Sequence, residues 1–238
     1  MVFFIIFLII LLLLLVYHLL TKKYLNPYKL TMVFGKKGSG KSTLMVKVAN
    51  QYLSRGWSVY STEPIPRCYL LSPDDIGKVQ LPPNSVLLVD EVGMIWDNRE
   101  FKKFGNHVRD WFKLQRHYKV RCFLFSQTFD IDKKLRDLTD DMYLCQNAFR
   151  VFSYAKRINR KIILTKPTGE SPARIDEELR FDSFLFFMFG SRRFTFIPKW
   201  SKYFNSFEAP KLEDKKFPKM PPIKKPKYSL FSFRRKRR

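Results

Sequence analysis

Acidic side chains are scarce in this chain: 21 Asp and Glu stand against 45 Lys and Arg, a formal charge of +24 over 238 residues. Cysteine is scarcer still. Cys68, Cys122 and Cys145 are odd in number and never fall at C-x-x-C spacing, which argues against a disulfide framework and against a zinc site. A reducing compartment fits that usage, and Cys122 and Cys145 lie in apolar runs with strand character, where a thiol packs as a small hydrophobe. After the first 20 residues no apolar run is long enough to cross a bilayer. The strongest, FLFFMFG from Phe184 to Gly190, has seven residues before Ser191-Arg192-Arg193, and a span needs about 20. The surplus of positive charge implies a polyanionic partner, either nucleic acid or an anionic membrane surface; a lysine-rich composition that merely aids solubility is the blander alternative. The length suits one α/β domain plus appendages.

Residues Met1 to Leu20 carry no charge, and His18 is their one strongly polar group. At 1.5 Å per residue such a helix crosses a hydrocarbon core of about 30 Å. No basic residue precedes the run, and bulky Tyr17, His18, Leu19 and Leu20 close it, so an uncleaved anchor over residues 1–20 is expected rather than a signal peptide. Lys22, Lys23 and Lys29 then form a basic juxtamembrane linker over 21–29. By the positive-inside rule the N-terminus lies outside and the remainder in the cytoplasm. His18 is expected to snorkel among the headgroups.

Leu30 to Phe34 favours a strand and leads into Gly35-Lys36-Lys37-Gly38-Ser39-Gly40-Lys41-Ser42 and then TLMVKVANQYL, which has helical character. Strand, glycine loop and helix match the G-x-x-x-x-G-K-[ST] pattern, in which backbone N–H groups converge on a phosphate at a helix N-terminus. Lys41 would bridge the β- and γ-phosphates of ATP, Ser42 would ligate Mg²⁺, and Thr43 would help cap the helix. The loop by itself does not separate a kinase, a GTPase and a motor.

The rest of the chain is more selective. After a second strand at residues 57–61, VLLV (86–89) is a continuous apolar run of the kind buried on both faces of a sheet. It ends at Asp90-Glu91, where open α/β sheets bind ligands. Asp90 could hold the Mg²⁺ shell while Glu91 takes a proton from the attacking water; the alternative is an exposed acidic pair. Arg99 to His117 reads as an amphipathic helix with Phe101, Phe104, Val108, Trp111 and Leu114 on one face. VRCFLF (120–125) is a fourth strand closed by Ser126-Gln127. Gln127 could sense the γ-phosphate or orient water, or simply terminate the strand. Asp130 to Arg136 opens another helix, and MYLCQNAF (142–149) is a fifth strand. The fold expected is α/β, a P-loop NTPase with a parallel sheet of the additional-strand, catalytic-Glu class.

The combination Asp90-Glu91, Trp111-Phe112 with Arg116-His117, Ser126-Gln127, and Ile131-Asp132 with Leu135-Arg136 resembles the zonular occludens toxin family, whose phage members are inner-membrane assembly ATPases of filamentous bacteriophages. The similarity covers residues 30 to 150 and more loosely extends to 209, so 30–209 is taken as the ATPase domain. It implies a multimeric, ring-forming ATPase at the host inner membrane that extrudes single-stranded DNA phage particles as coat protein replaces the DNA-bound protein. It also implies arginines acting in trans, for which Arg136 and Arg116 are the candidates; either can instead be a helix-surface cation. In the well-known phage members the span follows the ATPase domain, whereas here it precedes it.

Two alternatives stay open: an FtsK/HerA-like pump that packages or translocates DNA, and a non-enzymatic membrane scaffold ordered by nucleotide. The Lys- and Pro-rich tail, 210–238, has 12 Lys/Arg against 2 Asp/Glu in residues 211–238 and is expected to be disordered. Its end, YSLFSFRRKRR, could stack Tyr228, Phe231 and Phe233 on single-stranded DNA bases with Arg234 to Arg238 on phosphates, or place the same groups in an anionic lipid surface.

Overall fold

The computed structural model of the chain describes residues 2–21, 24–96, 106–129, 133–165 and 174–203. All belong to the first of two compact units, residues 1–206. The tail, together with Lys22, Lys23, Phe101, Phe104, Ile131 and Asp132, lies outside the described residues.

The uncharged N-terminal run forms one helix, α1 (Val2–Thr21), with no buried residue. It is long and apolar enough to cross a membrane and is not a core helix. The chain then enters β1 (Leu30–Phe34), α2 (Lys41–Leu53), β2 (Ser58–Ser61), a two-residue β3 (Tyr69–Leu70), β4 (Ser85–Val89), α3 (Val92–Ile95), α4 (Asn106–Leu114), β5 (Val120–Ser126), α5 (Lys133–Asp137) and β6 (Asp141–Ala148). The strands β3-β2-β4-β5-β1-β6 are parallel neighbours in that order. β5 is therefore inserted between the strand leading to the glycine loop and the strand ending at Asp90, the arrangement expected of the additional-strand class.

Burial on both faces explains the unbroken apolar runs. Along β4, Val86 and Leu88 join a core with Leu44, Met45 and Phe123, while Leu87 and Val89 join the opposite core with Met32, Leu124 and Phe112. Alternate residues point to opposite faces, so a strand between two helical layers must be apolar at every position. The helix before β5 obeys the same demand with a different face from the one expected. Val108, Trp111, Phe112 and Gln115 are buried and Leu114 is exposed, because spacings of three and four from Val108 select 111, 112 and 115. Trp57, expected in the second strand, lies before it and packs its ring 5.2 Å from that of Tyr52.

Beyond β6 the sheet is no longer parallel. Phe149 and Arg150 both take positive φ, 53° and 61°, a sense of turn that suits a twisted hairpin. It reverses the chain into the 14-residue β7 (Phe152–Thr165), antiparallel to β6. β8 (Arg174–Phe181) and β9 (Arg192–Phe196) both pair antiparallel with β7, and a short α6 (Ile197–Trp200) follows. Asp182, 8% exposed, ties this extension together: it accepts from Arg157 Nε and Asn159 Nδ2, while its carbonyl accepts from Arg192 at 2.7 Å. Asp182→Ala is expected to lower stability by about 2–3 kcal/mol, slightly below the range for a fully buried pair because Arg157 keeps some exposure. The shift of the urea midpoint measures it.

Candidate nucleotide site

The loop from Gly35 to Gly40 sits where β1 ends, between β5 and β6. Its entry is fixed by Gly35 N–H donating to the Ser126 carbonyl at 3.1 Å. Two glycines are required by space. A Cβ on Gly35 would lie 2.4 Å from the Cys145 carbonyl oxygen, and one on Gly40 would lie 2.4 Å from Ser153 Cβ, at a φ of 91°. Lys41 is 7% exposed, and its ammonium donates to the Gly35 carbonyl at 2.7 Å and the Lys36 carbonyl at 3.3 Å. The charge is thereby held on the inner side of the loop. Lys36, Lys37 and Gly38 form its exposed crest.

Gly40 is the N-cap of α2 with no side chain capping it, and the N–H groups of Gly40, Lys41 and Ser42 find no acceptor among the described residues. Such a helix start attracts an anion. Thr43 does not cap the helix as expected. Its hydroxyl donates to the Gly40 carbonyl at 2.8 Å, the back-bonding habit of a threonine inside a helix.

The loop is braced from a side the sequence did not reveal. Ser153 Oγ donates to the Ser39 carbonyl at 2.8 Å, the Cys145 thiol contacts the same carbonyl at 3.3 Å, and Asn147 Nδ2 donates to the Gly38 carbonyl at 3.2 Å. All three come from the β6–β7 hairpin, so the antiparallel extension holds the loop's outer edge. Burial pushes the Cys145 thiol up from its ordinary value, leaving it neutral and suited to a structural contact.

Two neighbouring strand tips supply the acids and the amide. Asp90 ends β4, is 8% exposed, and receives the Glu91 N–H on its carboxylate at 3.0 Å, while its own N–H donates to Thr62 Oγ1 at 3.0 Å. Burial pushes its carboxyl up to about 6. The Glu91 N–H opposes that rise, Glu91 and Glu63 add to it, and the Lys41 ammonium lowers it. Glu91 takes a left-handed backbone, φ 48° and ψ 45°, ahead of α3; a non-glycine residue held there is strained, and such strain gathers at functional sites. Gln127 Nε2 donates to Glu91 Oε1 at 2.7 Å. Asp90, Glu91, Gln127 and Lys41 are thus brought to one end of the sheet.

Glu63 joins them unforeseen. Burial raises its pKa, with the Glu91 charge adding to the rise. The signal for it was an acid two residues beyond Ser61, at the tip of a strand adjacent to β4.

The two arginines part company. Arg136 donates to the Phe129 carbonyl at 3.4 Å and lies over the Phe129 ring at 4.6 Å, and that ring meets Phe34, the residue before the loop, at 4.9 Å. It is held near the loop side of β1. Arg116 is exposed in the turn before β5, at the far end of the strand that finishes at Gln127. β5 runs seven residues between the two, about 23 Å.

The residues fit a divalent cation bound chiefly through nucleotide oxygens. Ser42 offers a hydroxyl, Asp90 a carboxylate whose raised pKa a cation would reverse, and among the described residues no three His, Cys, Asp or Glu converge into a closed metal cage.

The glycine loop, the strand order and the paired tips define a P-loop NTPase fold of the additional-strand class. No protein-family model matches the sequence, and no curated protein matches it. Among solved structures, the N-terminal domain of zonular occludens toxin from Neisseria meningitidis is similar at 19% identity, over 67% of this chain and 97% of that one, with a TM-score of 0.45. The genome packaging NTPase B204 from Sulfolobus turreted icosahedral virus 2, in complex with ATP-gammaS, is similar at 14% identity, over 52% of this chain and 77% of that one, with a TM-score of 0.41. The flagellar accessory protein FlaH from Methanocaldococcus jannaschii is similar at 12% identity, over 54% and 77%, with a TM-score of 0.39. At such distances the class rests on this chain's own strand order and loop.

Proposed function

We propose that the chain is a membrane-anchored ATPase that drives assembly and extrusion of filamentous single-stranded DNA phage particles through the host inner membrane, with α1 as a single span and the nucleotide domain in the cytoplasm. The Gln127–Glu91 hydrogen bond carries the hydrolytic reading, since it orients a carboxylate at the strand tips, and an oriented carboxylate is what a general base requires. The triphosphate binds along the loop amides and Lys41. Glu91 accepts the proton of the attacking water, Gln127 keeps that carboxylate oriented, and Arg136 offers a cation to the site of a neighbouring copy in a ring. Ser42 and Asp90 would hold Mg²⁺, which would supply neutralising charge at the phosphates.

The extrusion reading rests on the motif set shared with the phage assembly ATPases and on the apolar helix next to the domain. Its partners are then the phage coat protein and the phage ssDNA–protein complex. Phosphate release by the full chain in lipid, measured with coat protein and with single-stranded DNA added separately, is the test. Stimulation by coat protein supports extrusion; stimulation by DNA alone, with translocation, favours a packaging motor instead. The metal pair makes its own prediction. Ser42→Ala, which removes a hydroxyl ligand, and Asp90→Asn, which keeps an oxygen but removes the negative charge, are each expected to raise the Mg²⁺ concentration needed for half-maximal turnover by about tenfold, roughly 1.4 kcal/mol, as read by magnesium titration of phosphate release.

A further inference from the structure

At the end of the sheet opposite the glycine loop, where β1, β5 and β6 begin, a cavity of about 770 Å³ opens beneath the last turn of α1. Its charged lining is lopsided: Lys29, Arg55, Arg121, Arg157 and Arg193 against the single carboxylate of Asp141. Two of the cations are spoken for, Lys29 by Asp141 at 2.9 Å and Arg157 by Asp182. Arg55, Arg121 and Arg193 form no ion pair with any described carboxylate.

Arg121 and Arg193 are held in place without being satisfied. The Arg121 guanidinium lies 5.2 Å from the Phe123 ring and donates to the Pro27 carbonyl at 2.8 Å; that of Arg193 lies 4.8 Å from the Tyr143 ring and 5.7 Å from Phe123. The Nε atom of each is buried with no acceptor. Burial lowers the Arg121 pKa from its ordinary value; Tyr52, Asp141 and Tyr143 oppose the fall and the Arg193 charge adds to it. Two part-buried like charges that both line the cavity are costly side by side and favourable around an anion.

The surroundings say which anion. Tyr17, His18 and Thr21 of α1 close one side of the cavity. Gly190 forms another part of the wall, its carbonyl accepting from Tyr143 Oη at 2.8 Å, and the turn leading to it exposes Phe184, Phe186 and Phe187. Exposed rings beside cations at the end of a spanning helix mark the headgroup layer of a bilayer. A concave site of this size admits one headgroup.

We propose that this cavity is a binding site for the phosphate of an anionic phospholipid, taken between Arg121 and Arg193. The assignment rests on α1 spanning the bilayer, as the proposed function has it, and it concerns residues 121 and 193 rather than the C-terminal tail.

The test is native mass spectrometry of the full chain ejected from mixed phosphatidylcholine and phosphatidylglycerol nanodiscs. The wild-type chain is expected to retain one phosphatidylglycerol in preference to phosphatidylcholine. Arg121→Gln/Arg193→Gln is expected to lose that preference roughly 30-fold, the worth of two cations at the headgroup level, while still binding a fluorescent ATP analogue at the other end of the sheet. Should the double variant fail to bind the analogue, Arg193→Gln alone, with a severalfold loss, and the wild-type lipid preference decide. Equal retention of both lipids by the wild type, or unchanged preference in the variants, overturns the proposal. So does displacement of the lipid by equimolar glycerol phosphate, which would make this a site for a soluble phosphate, or by a single-stranded oligonucleotide, which would make it a nucleic-acid site. Failure of the wild type to float with vesicles of either lipid overturns the anchor and the lipid site together; flotation without lipid preference overturns the lipid site alone.

Discussion

Glu91→Gln is expected to yield a protein that binds ATP as tightly as the wild type and turns it over about 10³-fold more slowly, within the range ascribed to a positioned general base. The substitution isolates proton acceptance. A glutamine has the size of the residue it replaces, tolerates the left-handed backbone at φ 48° no worse, and keeps an oxygen to accept from Gln127 Nε2. Only the basicity is lost. ATP-analogue fluorescence measures the first half of the expectation, and single-turnover phosphate release the second. Wild-type turnover in the variant would remove Glu91 from the mechanism and turn attention to Glu63, the other carboxylate near Asp90. Phage assembly that persists with this variant would favour a scaffold that needs nucleotide only for order.

Gly40→Ala is expected to weaken ATP binding by roughly 30-fold to several thousandfold. Two costs add. An alanine at φ 91° leaves the region comfortable for L-residues, at about 1–2 kcal/mol, and its Cβ would arrive 2.4 Å from Ser153 Cβ and 2.6 Å from Ser153 Oγ. Relief requires Ser153 to leave the Ser39 carbonyl, an overpacking cost of about 1–3 kcal/mol. Their sum is about 2–5 kcal/mol, at 1.4 kcal/mol per tenfold. The companion Gly40→Ala/Ser153→Gly separates the terms, since it removes the collision and leaves the backbone strain, and should recover about half of the lost affinity on a logarithmic scale. Titration calorimetry on the single and double variants reads both. An alanine variant that binds normally would mean that the hairpin does not constrain the loop.

Much of this architecture was legible in one dimension because a single pattern dominates each piece. An unbroken apolar run such as VLLV has few places to go except a strand covered on both sides, and G-x-x-x-x-G-K-S between a strand and a helix has a meaning in backbone geometry. Polar residues at the ends of such runs, Asp90-Glu91 and Ser126-Gln127, gather at one end once the strands are parallel. The failures share a cause too. The hairpin at Phe149-Arg150 turns without the glycine or asparagine that ordinarily announces positive φ, so nothing in the sequence marks the chain folding back beside the loop. Ser153, Asn147 and Cys145 therefore carried no signal. Arg116 lies at the opposite end of β5 from Gln127, a position that bears on its own chain's site and not on a neighbour's. Leu114 misled: spacings of three and four from Val108 select Trp111, Phe112 and Gln115, and Phe112 takes its place in the core.

The 14-residue β7 touches both ends of the molecule's chemistry. Its Ser153 grips the glycine loop and, four residues on, its Arg157 lines the cavity under α1, a separation of about 13 Å along a paired strand. A strut of that stiffness leaves little slack between a phosphate-holding loop and the wall of the chamber beneath the helix. Thermodynamic reciprocity then applies: to whatever degree filling one end alters affinity at the other, the reverse exchange carries the same free energy.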